Sequence, residues 1–268
     1  MKSGITAHMI VKNEDQWVYY AIHSVLPHVD TILITDTGSN DKTVKVIKSI
    51  RSKKIHFNEI KISTRDEIAS VRQSQIDQTK TNWIWIVDAD EIYTEAGAKE
   101  IVKVTNDSKY SLIVVRRYDL LGDIYHRQTE NVGSYRMFGQ TGHLLVRLLS
   151  LTQLPGLKVR GKYPLESYYT QSGKCVNNLN NSEVYITKNS LYHTMYLTRS
   201  SLGGNLPMFN RGKYKIETGI VVDQTTMPEV FGLKSPAIVG NPLKRRSLAY
   251  NLIAAVVTPI KNLKRKIL

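Results

Sequence analysis

Trp83-Ile84-Trp85-Ile86-Val87, followed at once by Asp88-Ala89-Asp90-Glu91, is the stretch on which the reading of this chain turns. Consecutive large apolar residues with no polar alternation read as a strand buried on both faces, the pattern of a parallel sheet covered by helices. Two carboxylates one residue apart at the end of such a strand can point toward one divalent cation. Hard oxygen ligands suit Mg²⁺ or Mn²⁺, and Mg²⁺ is typically held by one or two carboxylates plus substrate phosphates. The competing reading is a solvated acidic turn capping the helix that follows at Thr94. Placement directly after a buried strand favours the metal.

Working back from this strand, residues 5–11, 31–35 and 55–62 read as further strands separated by helical patterns. After the first, Trp17, Tyr20, Ala21, Ser24 and Val25 recur at helical spacing, with Asn13 as the expected N-cap and Pro27 beyond the end. The turn Asp36-Thr37-Gly38-Ser39-Asn40-Asp41 leads into a helix to about Ile50, with Asp41 as its cap. Thr64-Arg65-Asp66-Glu67 has capping-box spacing and opens a helix to about Gln78. Such alternation predicts βαβ units, hence an α/β fold with a mostly parallel sheet and ligands at the carboxyl ends of its strands. Asn13, Glu14, Asp36 and Asp88 to Glu91 all stand at such ends. Beyond about residue 110 the pattern weakens: 110–116 and 142–149 read as strands, and 151–190 has no clear period.

At 268 residues, 41% apolar and 22% charged, the chain is long and apolar enough for a sizeable core, which excludes whole-chain disorder. Lys and Arg number 37 against 23 Asp and Glu, a formal charge of +14 that favours anionic partners: nucleic acid, an anionic membrane surface, or phosphorylated substrates. The single cysteine, Cys175, rules out an intrachain disulfide and a cysteine-cluster metal site. Between Lys174 and Asn177 it reads as incidental rather than nucleophilic. A free thiol, no apolar export segment and no membrane-spanning run predict a cytoplasmic protein, peripheral if it meets a membrane at all.

Met9-Ile10-Val11-Lys12-Asn13-Glu14, then Ile34-Thr35-Asp36-Thr37-Gly38-Ser39-Asn40-Asp41-Lys42-Thr43, then the segment from Trp83 to Glu91 resemble, in order and spacing, family 2 glycosyltransferases of the GT-A fold. The resemblance is clear over about residues 4–95 and weaker to about 197. It implies a Rossmann-like glycosyltransferase domain over 1–197, with a nucleotide-sugar half (about 1–95) and an acceptor-side half (about 96–197). An extension over 198–243 and a basic amphipathic tail over 244–268 complete the expected organisation. The implied reaction is a metal-dependent, inverting transfer of sugar from a nucleoside diphosphate-sugar to an acceptor hydroxyl, on a membrane lipid or surface glycan.

Residue by residue, the resemblance assigns Asn13, Glu14 and Asp36 to the nucleotide, Asp36 matching the acidic residue that contacts the base. Val71-Arg72-Gln73 stands where the family has Ala-Arg-Asn, making Arg72 a diphosphate contact. Asp88 and Asp90 are implied metal ligands, Asp88 also touching the donor and Asp90 serving catalysis. Gly161-Lys162-Tyr163-Pro164-Leu165-Glu166 resembles a Gly-x-Val-His-Glu segment, lacking its His and carrying one extra residue. It makes Glu166 the candidate general base; the rivals Asp119, Asp123 and Glu130 are expected on loops, facing solvent. Leu191-Tyr192-His193-Thr194-Met195-Tyr196 resembles the closing His-x-x-Tyr segment, so His193 is implied as a third metal ligand or a diphosphate contact.

From residue 244 to the end the chain has seven Lys or Arg and no acid. They bracket the apolar run 248–260, which is too short to span a bilayer and suits an interfacial segment. A helix docked on the core is the alternative, and a nucleic-acid patch fits less well because the interleaved residues are aliphatic rather than aromatic. A nucleotidyltransferase would want a Gly-rich loop after the first strand, which Val11-Lys12-Asn13-Glu14 does not supply. A non-catalytic nucleotide-sugar-binding protein and a basic nucleic-acid-binding module stay as the other function classes.

Overall fold

The computed structural model describes residues 1–64, 66–198 and 215–267. The first half is the expected alternation: β1 (Lys2–Val11), α1 (Val18–Val25), β2 (Thr31–Asp36), α2 (Thr43–Ser49), β3 (Ile55–Glu59), α3 (Glu67–Gln78) and β4 (Thr81–Ile86). These strands pair in parallel in the order β3-β2-β1-β4. The short β5 (Glu91–Ile92) and α4 (Glu95–Thr105) follow, then β6 (Leu112–Leu121), β7 (Asp123–Arg127), β8 (Tyr135–Met137), β9 (Gln140–Gly142) and β10 (Leu144–Ser150). Strands β11 (Lys158–Arg160), β12 (Ser167–Tyr169), β13 (Val184–His193) and β14 (Ile220–Val221) precede the last helix, α5 (Leu248–Ile267). Strand β10 joins the parallel half through antiparallel pairing with β4 and passes the sheet on to β6.

The tryptophan strand behaves as its composition predicts. Ile84, Trp85 and Val87 are fully buried, and Trp83 and Ile86 nearly so. Alternation sends Trp83 and Trp85 into the larger core, with Tyr20, Ile22 and Ile101, while Ile84 and Ile86 pack into a second core with Leu144 and Leu149. Each such buried aliphatic side chain contributes about 1.5–3 kcal/mol, so the strand is anchored from both sides and the position of Asp88 follows from it. Helix α4 is capped by Thr94, whose hydroxyl accepts from the Gly97 N–H at 3.0 Å.

Three local expectations are corrected. Asn13 does not cap α1: it adopts φ +55°, and its Oδ1 accepts from the Asn40 N–H at 2.9 Å. Helix α1 is buried nearly all round rather than along one stripe, because the Glu229–Gly232 turn covers its outer face through Phe231. Asp119 and Asp123 are not solvent-facing: they are 2% and 3% exposed, the first inside β6 and the second opening β7. Asp41 stands one residue before the N-cap Lys42, and its Oδ1 accepts at 2.8 Å from the Thr43 N–H that opens α2. Arg65 of the expected capping box, and residues 199–214 of the expected extension, lie outside the described residues; Glu67 Oε1 accepts from the Ser63 and Thr64 N–H groups, both at 2.8 Å. No helix among the described residues is long and apolar enough to cross a membrane.

Candidate active site

The carboxyl ends of β1, β2 and β4 lie side by side, because β1 pairs with both neighbours in parallel: Val11 stands opposite Asp36, and His8 opposite Ile86. At the first two ends a hydrogen-bonded turn is built. The Asp36 carboxylate is buried and accepts from the Gly38 and Ser39 N–H groups (2.9 and 2.8 Å) and from Ser39 Oγ at 2.5 Å. Gly38 has φ +96°, a conformation that costs glycine least. Asn13 donates its N–H to Ser39 Oγ (2.8 Å), and the Glu14 N–H donates to Thr43 Oγ1 (2.8 Å). Asp36 therefore shapes the rim of a cavity of about 630 Å³ lined also by Lys12, Gly38, Glu59 and Lys61. Burial lowers the Lys12 ammonium from its ordinary value, Asp36 opposing and Lys61 reinforcing.

At the end of β4 the two aspartates separate. Asp88 Oδ2 lies 2.9 Å from Arg147 Nη2, and its Oδ1 is 3.9 Å from Arg72 Nη2. Arg147 also bonds the fully buried Glu91, and Arg72 Nε donates to Glu166 Oε1 at 3.2 Å. Arg72, Asp88, Arg147 and Glu166, with Tyr168, line a cavity of about 300 Å³ between β4, β10 and the 163–168 segment. The other oxygen of Glu166, Oε2, is buried and has no hydrogen-bond partner among the described residues.

Asp90 turns the other way, toward His193. Strand β13 pairs in parallel with β6 and antiparallel with β5, so His193 stands opposite Asp119 on one side and Glu91 on the other. His193 Nδ1 lies 2.8 Å from Asp119 Oδ1, and its Nε2 is 3.3 Å from Asp90 Oδ2. Asp119 Oδ2 is 3.0 Å from His143 Nδ1. Burial works against charge on His193, but Asp90 and then Asp119 outweigh it and raise the imidazole to about 9. Burial also opposes the Asp119 carboxylate, yet the hydrogen bonds from His143 and His193 hold it well below the usual range. The Thr194 N–H donates to the Asp90 carbonyl at 2.9 Å, pinning this turn to the end of β13.

Among the described residues no three His, Cys, Asp or Glu side chains are already gathered as a ligand set. The donor chemistry nevertheless fits a divalent cation. With Nδ1–H committed to Asp119, a neutral His193 would offer its Nε2 lone pair beside the Asp90 carboxylate, the arrangement that second-shell carboxylates impose on metal-binding histidines. Asp88, one turn position earlier, is the remaining candidate ligand.

Of the residues expected from the sequence, Asp90 and His193 come together, as do Arg72, Asp88 and Glu166. Asn13, Glu14 and Asp36 form the separate turn at the first two strand ends. The sequence presents Asp119 only as a rival base and carries no local signal of its bond to His193. Arg147 was missed altogether, although a lone arginine inside Leu144-Leu145-Val146-Arg147-Leu148-Leu149 is an anomaly that calls for a buried acidic partner.

With this geometry in hand, the comparisons are decisive for the family. The model of glycosyl transferase family 2 matches residues 6–162, and the chain belongs to that family. Glycosyltransferase SunS of the SPbeta prophage in Bacillus subtilis is 28% identical over 103 residues, 37% of this chain and 23% of SunS, so the chain spans about a quarter of that curated relative's length. The crystal structure of S. aureus TarS in complex with UDP-GlcNAc is similar over 72% of this chain and 58% of that one, at 10% identity and a TM-score of 0.49. Glucosyl-3-phosphoglycerate synthase from Mycobacterium tuberculosis, solved with Mn²⁺, UDP-glucose and phosphoglyceric acid, is similar over 71% of this chain and 72% of that one, at 13% identity and a TM-score of 0.47.

Proposed function

We propose that this chain transfers a sugar, with inversion, from a nucleoside diphosphate-sugar to an acceptor hydroxyl on a glycan or lipid-linked molecule, using Mn²⁺ or Mg²⁺. Membership of glycosyl transferase family 2 supports the reaction class. The observation that carries the site assignment is the strand-end turn in which Asp90 meets His193 at 3.3 Å while Asp119 orients that histidine. Asp90 and His193 would hold the cation; Asp88, which faces Arg147 and Arg72 here, would join them as a third ligand by turning from those guanidinium groups. The cation, when bound, supplies positive charge to the diphosphate as its bond to the sugar breaks.

The chain's own groups do the rest. The turn of Asn13, Glu14 and Asp36 receives the nucleoside, with the cavity beside Lys12 and Asp36 as the base site. Arg72 and Arg147, partly buried and already facing carboxylate oxygen, present guanidinium donors suited to phosphate oxygen. Glu166, with Oε2 unbonded, takes the proton of the acceptor hydroxyl as that oxygen attacks the anomeric carbon.

A second reading is a nucleotide-sugar-binding protein without turnover. The ion pair of Glu166 with Arg72 at 3.2 Å favours it, since that contact already occupies one carboxylate oxygen of the candidate base. One experiment separates the two: a panel of nucleotide-sugars with Mn²⁺, scored both for thermal shift and for release of free nucleoside diphosphate. Release from a donor that also raises the melting temperature supports transfer. A shift with no release supports binding alone, and no shift with any donor overturns both.

A further inference from the structure

Helix α5 packs on the fold by one side only. Tyr250 is buried with its ring so close to Gly122 that a Cβ there would meet it at 2.8 Å, and its hydroxyl donates to the Lys215 carbonyl at 2.9 Å. Ala254 is fully buried, the Thr218 N–H donates to Thr258 Oγ1 at 2.9 Å, and Arg265 Nη1 pairs with Glu217 Oε2 at 3.0 Å. With Lys261, whose Nζ donates to the Ile216 carbonyl at 3.3 Å, these positions recur every three or four residues and form a continuous inner stripe.

The opposite side is apolar and uncovered. Leu248, Leu252, Val256, Ile260, Leu263 and Ile267 are all between 62% and 76% exposed, and they too recur every three or four residues. At 100° per residue Lys264 and Lys266 fall at the two edges of this stripe. Lys244 and Arg245 stand exposed just before the helix. No Asp or Glu occurs after Glu229.

We propose that α5 is a docking surface for an anionic lipid bilayer, lying in the interface plane with its apolar stripe at the acyl boundary and its lysines among the headgroups. Charge selects this occupant over a second copy of the chain. Two such helices face to face would oppose lysine to lysine, with no acid on either to pair them. Because Tyr250 packs on Gly122, just past the β6 strand that carries Asp119, docking would seat the site at the bilayer surface. The inference goes beyond the proposed reaction and does not depend on it.

The test uses the full chain and vesicles of phosphatidylcholine with and without phosphatidylglycerol. One variant removes the stripe and keeps the charge (Leu252→Ser, Val256→Ser, Ile260→Ser); another removes charge and keeps the stripe (Lys264→Gln, Lys266→Gln). The wild type should co-sediment with the anionic vesicles and release as salt rises. The serine variant should lose binding at least tenfold while keeping its melting temperature, and the glutamine variant should lose up to about fivefold per lysine. Unchanged vesicle binding by the serine variant would overturn the proposal, leaving only the general polyanion attraction that nucleic acid would share. So would a wild-type dimer, seen by light scattering without lipid, that the serine variant dissociates. An early-melting serine variant would also overturn it, by placing the stripe inside the fold.

Discussion

His193 and Asp119 face each other across the parallel ladder of β13 and β6, Nδ1 to Oδ1 at 2.8 Å, and this contact fixes which nitrogen of the imidazole looks at Asp90. Asp119 is in turn braced by His143 at 3.0 Å. Asp119→Asn keeps the shape and removes the charge. It should weaken Mn²⁺ binding roughly 10–100-fold while nucleoside binding stays near wild type. Thermal shift titrated with Mn²⁺ gives the comparison, and equal metal affinity in both proteins would dismiss the positioning role.

Asp90→Asn should leave the fold intact and lower turnover roughly 10²–10³-fold, the loss expected when a few kcal/mol of charge stabilisation disappear. Asp88→Asn should act in the same direction. Full activity of the double variant, or of the wild type in excess EDTA, would sink the metal assignment.

Asp36→Ala should weaken nucleoside and nucleoside diphosphate alike, because the carboxylate that organises the Gly38-Ser39 turn is lost. Arg72→Ala should spare the nucleoside and cost the diphosphate about 1.5–3 kcal/mol, the range for a hydrogen bond to a charged group. Calorimetry with both ligands decides; equal losses on nucleoside and diphosphate in Arg72→Ala would count against the Arg72 role.

Glu166→Gln should lower kcat roughly 10²–10⁴-fold with donor affinity retained, since general-base assistance is worth about that much. A variant with wild-type kcat would move the base elsewhere.

Two buried histidines should shape the stability of the metal-free protein in opposite pH windows. His8, with Nε2 2.7 Å from Thr79 Oγ1, is lowered to about 3 by burial, with Arg72 adding. The unfolded chain binds a proton that the folded one refuses, so stability falls as pH drops from about 6.5 toward 3. His193 is raised to about 9, so its contribution is fully present below about 6.5 and is lost as pH rises through 9. Each slope is at most about 1.4 kcal/mol per pH unit. Denaturant titrations across both windows should show His8→Gln flattening the acid side and His193→Gln the alkaline side. A variant with an unchanged slope would acquit its histidine.

The βαβ order, the buried tryptophan strand and the placement of Asp36, Asp88 and Asp90 at strand ends were legible in the chain, because apolar periodicity and turn chemistry act between near neighbours. The same locality misled at Asn13, whose side chain bonds across to Asn40 instead of capping its own helix. It misled again at Asp119, because Arg116-Arg117 interrupt the apolar run of its strand and make the sequence there read as a loop. What joins Asp90 to His193, and Asp88 to Arg147, is the pairing of β13 with β5 and β6 and of β10 with β4. Those ladders connect segments far apart in the chain, and a buried carboxylate finds its cation or imidazole only once they have formed. The tail shows the same division: its amphipathic period was visible from residue 244 onward, but which side Tyr250 and Ala254 would bury depended on Gly122 and the 215–218 segment meeting it in space.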